Sequence, residues 1–319
     1  MNLLLTGASG FVGQALLARL LADGKHRPRG AYRRLPEAIA PDAEACVVGD
    51  LGPEVDWREA LFDIDTVVHC AARVHVMQDR AADPLAEFRR ANVDGTLHLA
   101  RQAAEAGVRR FVFLSSIKVN GEGTEPGKPY MADDLPAPSD PYGVSKLEAE
   151  QGLWSIATQT GMEVVVIRPV LVYGPGVKAN FRNMMKWLSK GVPLPLGAIH
   201  NRRSLVALGS LVDLIVTCLE HPDAAGQVFL ASDGEDLSTT QLLRRMARAL
   251  GKSPLLLPVP QRWLSGMAHM LGRDALAQRL CGSLQVDIQK TRQILGWVPP
   301  LTVDEALGLA ADHFLANTV

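Results

Sequence analysis

The stretch Leu3-Leu4-Leu5-Thr6-Gly7-Ala8-Ser9-Gly10-Phe11-Val12-Gly13 constrains this chain more than any other: an unbroken apolar run, a glycine-rich turn and the start of an amphipathic helix follow one another directly. An unbroken apolar run is how a strand buried on both faces reads. Glycines in the turn let backbone approach a pyrophosphate, while the helix N-terminus offers N–H groups and a partial positive charge. The spacing is G-x-x-G-x-x-G, not G-x-G-x-x-G, so a purely structural turn is the competing reading. Its place at the first strand favours a dinucleotide cradle, with Gly7, Gly10, Phe11, Val12 and Gly13 as contacts.

Downstream, short apolar runs alternate with helical patterns, the βαβ signature of a mainly parallel sheet covered on both faces. Strands are predicted at 2–6, 29–32, 45–48, 66–70, 110–115 and 163–168, and helices at 11–22, 84–106 and 141–160. The fold class is α/β, a doubly wound parallel sheet. After Pro169 the rhythm changes: Gly174-Pro175-Gly176, Pro193-Leu194-Pro195 and the prolines of 254–260 interrupt it, and the remaining periodicity, at 239–250 and 303–315, is helical. This predicts a cofactor domain at 1–169 and a smaller, mostly helical substrate lobe at 170–319, a division that need not be clean and allows the two to interleave.

A net charge of −1 over 319 residues gives no electrostatic case for nucleic acid. Cys46, Cys70, Cys218 and Cys281 are scattered, with no C-x-x-C pair and no histidine at ligand spacing, so no metal site is expected and the thiols read as small buried hydrophobes. The glycine loop begins too early to leave room for a secretory signal, and the longest apolar stretch, 205–219, carries Asp213 and falls short of the roughly 20 residues that span a bilayer. The expectation is a cytoplasmic protein without membrane insertion.

Open α/β sheets bind ligands at the carboxyl ends of their strands. Gly49-Asp50-Leu51 follows the third strand and Ala71-Ala72 the fourth, which adds Asp50, Leu51, Ala71 and Ala72 to the cofactor set; loop capping and small-residue packing are the alternatives. At the tip of the second strand a carboxylate bonds a ribose 2′-hydroxyl, whereas a cation accommodates a 2′-phosphate. Here the strand runs into Arg33-Arg34. The reading is NADP(H) preferred with NAD(H) possible, against two ordinary surface arginines.

Asp140-Pro141-Tyr142-Gly143-Val144-Ser145-Lys146 opens a helix, with Ser139 or Asp140 available to cap it and Pro141 suited to its first turn. Tyr142 and Lys146 are then i and i+4 on one face. A phenol titrates near pH 10, and a neighbouring ammonium and a helix N-terminus both lower that value, which makes the pair a workable proton shuttle for an alcohol or ketone. Such pairs also occur by chance on surface helices. The strand ending in Ser115-Ser116 supplies the support: Ser116 can hydrogen-bond the oxygen that Tyr142 protonates, with Ser115 its rival on the opposite face.

Taken with Thr6-Gly-x-x-Gly-x-x-Gly13, Gly49-Asp50-Leu51, His69-x-Ala-Ala72, Asn92-x-x-Gly-Thr96 and Arg168-Pro-x-x-Val-Tyr-Gly-Pro-Gly176, these motifs resemble the extended short-chain dehydrogenase/reductase family, in its nucleotide-sugar epimerase/dehydratase branch. The resemblance runs through nearly the whole chain in the family's order. It implies a Rossmann domain holding NAD(P), with Tyr142 as acid–base, Lys146 on the nicotinamide ribose and Ser116 polarising the reacting C–O bond. The family's asparagine on the long fourth helix falls on Asn92, for which helix packing is the other role. Relatives hold a nucleoside diphosphate at positions matching Asn180, Phe181, Arg203 and Arg279; surface solvation is the alternative for both arginines. Relatives often pair through helices flanking the catalytic one, so a homodimer is expected.

Two departures bear on chemistry. Sugar 4,6-dehydratases carry an Asp-Glu pair just after the catalytic hydroxyl, where this chain has Ile117-Lys118, and Asn120 stands where many relatives have Tyr. The stretch 115–122 resembles reductases of 4-keto-6-deoxy-N-acetylhexosamine nucleotides of bacterial surface-polysaccharide pathways. The expectation is therefore NAD(P)H-dependent reduction of a UDP-linked 4-keto sugar. A UDP-hexose or UDP-N-acetylhexosamine 4-epimerase with retained NAD is the alternative, and a non-catalytic NADP-binding regulator the second alternative.

Overall fold

The computed structural model describes residues 1–36, 43–74, 83–125, 127–270, 272 and 274–317. Its strands are β1 (Asn2–Thr6), β2 (Arg27–Tyr32), β3 (Glu44–Val47), β4 (Thr66–His69), β5 (Arg110–Leu114), β6 (Glu163–Pro169), β7 (Leu171–Tyr173), β8 (Arg203–Ala207), β9 (Gln227–Ala231) and β10 (Asp236–Leu237). The helices are α1 (Phe11–Asp23), α2 (Arg58–Leu61), α3 (Pro84–Phe88), α4 (Gly95–Glu105), α5 (Pro141–Thr160), α6 (Ala179–Ser189), α7 (Leu208–Glu220), α8 (Thr239–Ala249), α9 (Gln261–Met270), α10 (Asp274–Cys281), α11 (Gln289–Leu295) and α12 (Val303–Ala316).

Seven strands form one parallel sheet in the order β3-β2-β1-β4-β5-β6-β9. The order reverses between β1 and β4, and the crevice at such a switch point is where this architecture takes a ligand. Continuous Leu and Val runs fill β1, β4 and β6 because both faces are covered: α1 and α7 pack on one side, α4 and α5 on the other. Proline is admitted near the start of β2, at Pro28, where sequence reasoning had begun the strand one residue later.

The stretch 84–106, expected as one helix, is three pieces. Between α3 and α4, residues Arg89–Asp94 form a π-helical turn, and this wider turn carries the side chain of Asn92 into the interior.

Beyond Pro169 the chain is less uniformly helical than expected. β9 returns to the large sheet beside β6, and α7 packs against α1, so the chain crosses back after residue 170. A small sheet, β10-β8-β7, joins this return to a second apolar core built from α6, α8 and α12.

Candidate active site

A cavity of about 820 Å³ runs across the carboxyl ends of β1, β2, β4 and β5, lined by the glycine loop, Arg33, Asp50, Ala71, Ala72, Ser115, Tyr142 and Lys146. At Gly7 and Gly13 the loop has no room for a Cβ. Gly7 sits at φ +71°, and a Cβ there would lie 2.7 Å from the Ala71 nitrogen; one on Gly13 would lie 2.1 Å from the Gly7 carbonyl oxygen. No side chain caps α1, and its first turn contains no acid, so the helix start is left to an anion. The cradle fits a dinucleotide pyrophosphate.

Arg33 lies at the rim, with its guanidinium 3.4 Å from Asp50 Oδ1; both side chains are exposed. Arg34 is exposed as well but does not line the cavity.

At the other end, α5 begins where Asp140 caps it: Asp140 Oδ1 accepts from the Gly143 N–H at 2.6 Å, and Pro141 follows. This settles the choice between Ser139 and Asp140. The turn presents Tyr142 and Lys146 on the cavity side. Lys146 is buried; its ammonium donates to the Leu114 carbonyl at 2.9 Å and lies 4.4 Å from the centre of the Phe113 ring. Burial pushes its pKa down to about 8, opposed by Cys70 and Glu150.

Tyr142 corrects an expectation. Its phenol is pushed up to about 12, first by burial and then by the Asp140 carboxylate, while a hydrogen bond with Ser116 acts the other way. The lowering anticipated from Lys146 is absent because that ammonium is turned onto a backbone carbonyl and an aromatic face. Tyr142 also meets the edge of Phe88 at 6.1 Å between ring centres, and the Arg73 guanidinium lies over the same Phe88 ring.

The two serines part company. Ser116 hydrogen-bonds Tyr142, whereas Ser115 donates to Glu150, beneath the cavity. Glu150 in turn holds Arg168, whose Nη1 donates to Asn120 Oδ1 at 3.0 Å. Asn120 is therefore a buried strut, its Oδ1 held by Arg168 and its Nδ2 donating to the Met131 carbonyl.

Two further expectations change. The amide of Asn92 is fully engaged by protein: Oδ1 accepts from the Arg73 N–H at 2.8 Å, and Nδ2 donates to the Arg73 carbonyl and to Ser145 Oγ, both at 3.0 Å. It clamps the loop after β4 to α5 and does not face the cofactor cavity. Phe181 is buried in the second core, stacked on Tyr173 at 5.4 Å, so its side chain packs and does not present itself to a nucleotide. Its neighbour Asn180 is exposed at the first turn of α6. Arg203 and Arg279 are brought together: Arg203 Nη1 donates to the Arg279 carbonyl at 3.2 Å and to the Gly282 carbonyl at 3.1 Å.

Lys118, in the place of the dehydratase acid pair, forms ion pairs with Asp140 and with Glu122. Sequence reasoning missed this contact, although a lone lysine where relatives carry acids was its signal. Among the described residues no group of three or more His, Cys, Asp or Glu could hold a metal ion, and no helix is long and apolar enough to cross a membrane.

A doubly wound sheet with a glycine cradle at its first strand and a Tyr-x-x-x-Lys pair on a helix beside the cleft defines a dinucleotide-dependent enzyme of the short-chain dehydrogenase type. The model of the NAD dependent epimerase/dehydratase family matches residues 3–231, and the chain belongs to that family. It is thus an oxidoreductase or epimerase, which sets aside the non-catalytic reading. It is 48% identical over 315 residues, 98% of this chain and 95% of the relative, to a UDP-glucose 4-epimerase of Vibrio cholerae. It is 28% identical to the N-acetyl-alpha-D-glucosaminyl-diphospho-ditrans,octacis-undecaprenol 4-epimerase of Escherichia coli O157:H7, over 96% of this chain and 93% of that one. In fold it is similar to the UDP-glucuronic acid 4-epimerase of Bacillus cereus solved with NAD, at a TM-score of 0.80 and 20% identity, covering 99% of each chain.

Proposed function

We propose that this enzyme moves hydride at C4 of a UDP-linked hexose derivative, and that its reaction is the reduction of a 4-keto-6-deoxy sugar with NADPH. The observation that supports proton and hydride exchange at C4 is the placement of the Tyr142 phenol beside Ser116, with buried Lys146 behind it, in the cavity that holds the glycine cradle; the choice of reduction rests on the departures below. A ketone accepting hydride needs a proton at its oxygen, and a protonated phenol supplies it. Ser116 donates a hydrogen bond to the same oxygen as charge develops there. A bound nicotinamide would supply the hydride; Lys146 orients its ribose and Gly7, Gly10 and Gly13 let its pyrophosphate reach the backbone.

Two departures agree with this choice. The two positions where sugar 4,6-dehydratases carry their Asp-Glu pair hold a buried Ile117 and Lys118, which is tied to Asp140, so that acid pair is missing. Arg33 at the open rim, with no acid at the tip of β2, suits a cofactor that carries a 2′-phosphate and exchanges each turnover.

The Vibrio relative favours a second reading, 4-epimerisation, in which the same groups first take a proton from the C4 hydroxyl and later return it. Both reactions use Tyr142, Ser116 and Lys146, and only the fate of the hydride differs. Supplied with UDP-4-keto-6-deoxy-N-acetylglucosamine, the enzyme should oxidise one NADPH per 4-hydroxy product identified by NMR. Interconversion of UDP-glucose and UDP-galactose without added cofactor, together with no NADPH oxidation in the first assay, would establish the epimerase instead.

A further inference from the structure

We propose that the face of the C-terminal lobe formed by the end of α6, the strip that follows it and α9 docks on the surface of an anionic lipid bilayer. The charge distribution comes first. No Asp or Glu lies between Glu163 and Asp213, nor between Asp236 and Asp274, yet these two stretches hold 13 of the chain's 33 Lys and Arg. Some of these are spent inside the fold, Arg168 on Glu150 and Arg245 on Glu235, but Lys186, Lys190, Lys252 and Arg262 remain exposed, a local excess of cations that attracts anionic headgroups.

Apolar side chains are exposed on the same elements. Trp187 lies in the last turn of α6, and the Val192 N–H returns to its carbonyl at 3.0 Å. Leu194 then pairs with the second stretch, donating to the Leu255 carbonyl at 2.9 Å and accepting from the Leu257 N–H at 2.8 Å. Alternation along this strip turns Leu256 toward the second core and leaves Leu255 and Leu257 exposed. The strip leads through Pro260, whose carbonyl accepts from the Trp263 N–H, into α9. There Leu264 packs inward, while Trp263, Met267 and Met270, at i, i+4 and i+7, share an outer face; Trp263 is 71% and Met270 86% exposed. Lys186, Lys190, Lys252 and Arg262 are exposed along the same strip.

Tryptophan, methionine and leucine bordered by Lys and Arg, with no acid among them, match the region between headgroups and acyl chains, where a helix lies in the surface plane. A second copy of this chain fits less well, because two-fold pairing of the patch would set cations against cations. Nucleic acid would meet the cations and leave Met267 and Met270 without an apolar partner.

The test is sedimentation of the full chain with vesicles of phosphatidylcholine alone and of phosphatidylcholine mixed with phosphatidylglycerol. Partition into the mixed vesicles should be stronger by at least about tenfold and should weaken as salt is raised. Trp263→Ser/Met270→Ser should remove it through lost apolar insertion, and Lys186→Glu/Lys190→Glu/Lys252→Glu through lost attraction. Circular dichroism and NADPH affinity should stay at wild-type values in both variants, separating lost docking from lost folding. Equal partition into both vesicle types, or wild-type binding by both variants, overturns the proposal. So does a dimer in sedimentation velocity that Trp263→Ser/Met270→Ser dissociates while no vesicle binds.

Discussion

Arg168 on β6 and Glu150 on α5 form a buried ion pair, Nη2 to Oε2 at 2.5 Å, directly under the strand end that carries Ser116. Glu150 also accepts from Ser115 and Arg168 also donates to Asn120, so one carboxylate and one guanidinium tie β5, β6, α5 and the segment after β5 into one body. Removing one partner strands the other charge where water cannot reach it. Glu150→Ala should therefore cost about 3–5 kcal/mol of unfolding free energy, whereas Glu150→Met with Arg168→Met should cost distinctly less. Urea unfolding of both variants measures this. A single variant no worse than the double would show that the pair is not what holds these elements.

The contrast between α5 and this network shows what the sequence made legible. The glycine cradle, the strand ends and the Tyr142–Lys146 pair are local: their spacing dictates a turn, a pleat or a helix face, and each could be read without the fold. The Glu150–Arg168 pair, the Lys118–Asp140 contact and the clamp of Asn92 on Arg73 depend on sheet order and on a π-helical turn, which single-residue spacing does not encode. Phe181 and Asn180 differ by one helix position, about 100° of rotation, and that alone sends one ring into the core and leaves its neighbour exposed. β9 is five residues long, and nothing in its own apolar run distinguished the main sheet from the small one.

Tyr142→Phe removes the proposed proton donor and keeps the ring that meets Phe88. Turnover should fall at least about 100-fold, while NADPH affinity stays near wild type. Single-turnover hydride transfer and cofactor titration measure the two separately. A mutant reducing its substrate at near-normal rates would remove Tyr142 from the reaction. Lys146→Met should lower both affinity and rate, because its ammonium lines the same cavity as the phenol and the glycine cradle.

Arg33 faces the cavity rim and Arg34 does not line it, so the two substitutions should differ. Arg33→Asp places a second carboxylate beside Asp50, where it repels a 2′-phosphate and can accept from a 2′-hydroxyl, and NADPH preference should give way to NADH. Arg34→Asp should change it much less. Wild-type protein binding NADH the more tightly would overturn the cofactor reading and favour the epimerase.

His69 provides the last prediction, on stability and not on turnover. It is fully buried between Thr6 Oγ1, 2.7 Å from Nδ1, and Thr96 Oγ1, 2.9 Å from Nε2, and its ring stacks on Phe113. Burial first, and the Lys146 ammonium second, push its pKa down from 6.5 to about 3. The folded protein therefore keeps His69 neutral at pH values where the unfolded chain protonates it. The sign follows: stability from this group is complete above the unfolded value of 6.5 and is lost as the pH falls from there toward about 3. Each pH unit in that window removes up to about 1.4 kcal/mol. His26, also buried, is pushed down by its burial against the pull of Glu220, and acts with the same sign. Urea unfolding between neutral pH and the acid limb should show the decline, and His69→Asn, which offers hydrogen bonds but takes up no proton, should flatten it by close to one proton's worth of slope. His26→Asn serves as the matched control for the other end of the sheet. An unchanged slope in His69→Asn would mean that His69 is already protonated in the fold, and that the hydroxyls of Thr6 and Thr96 accept from a charged ring.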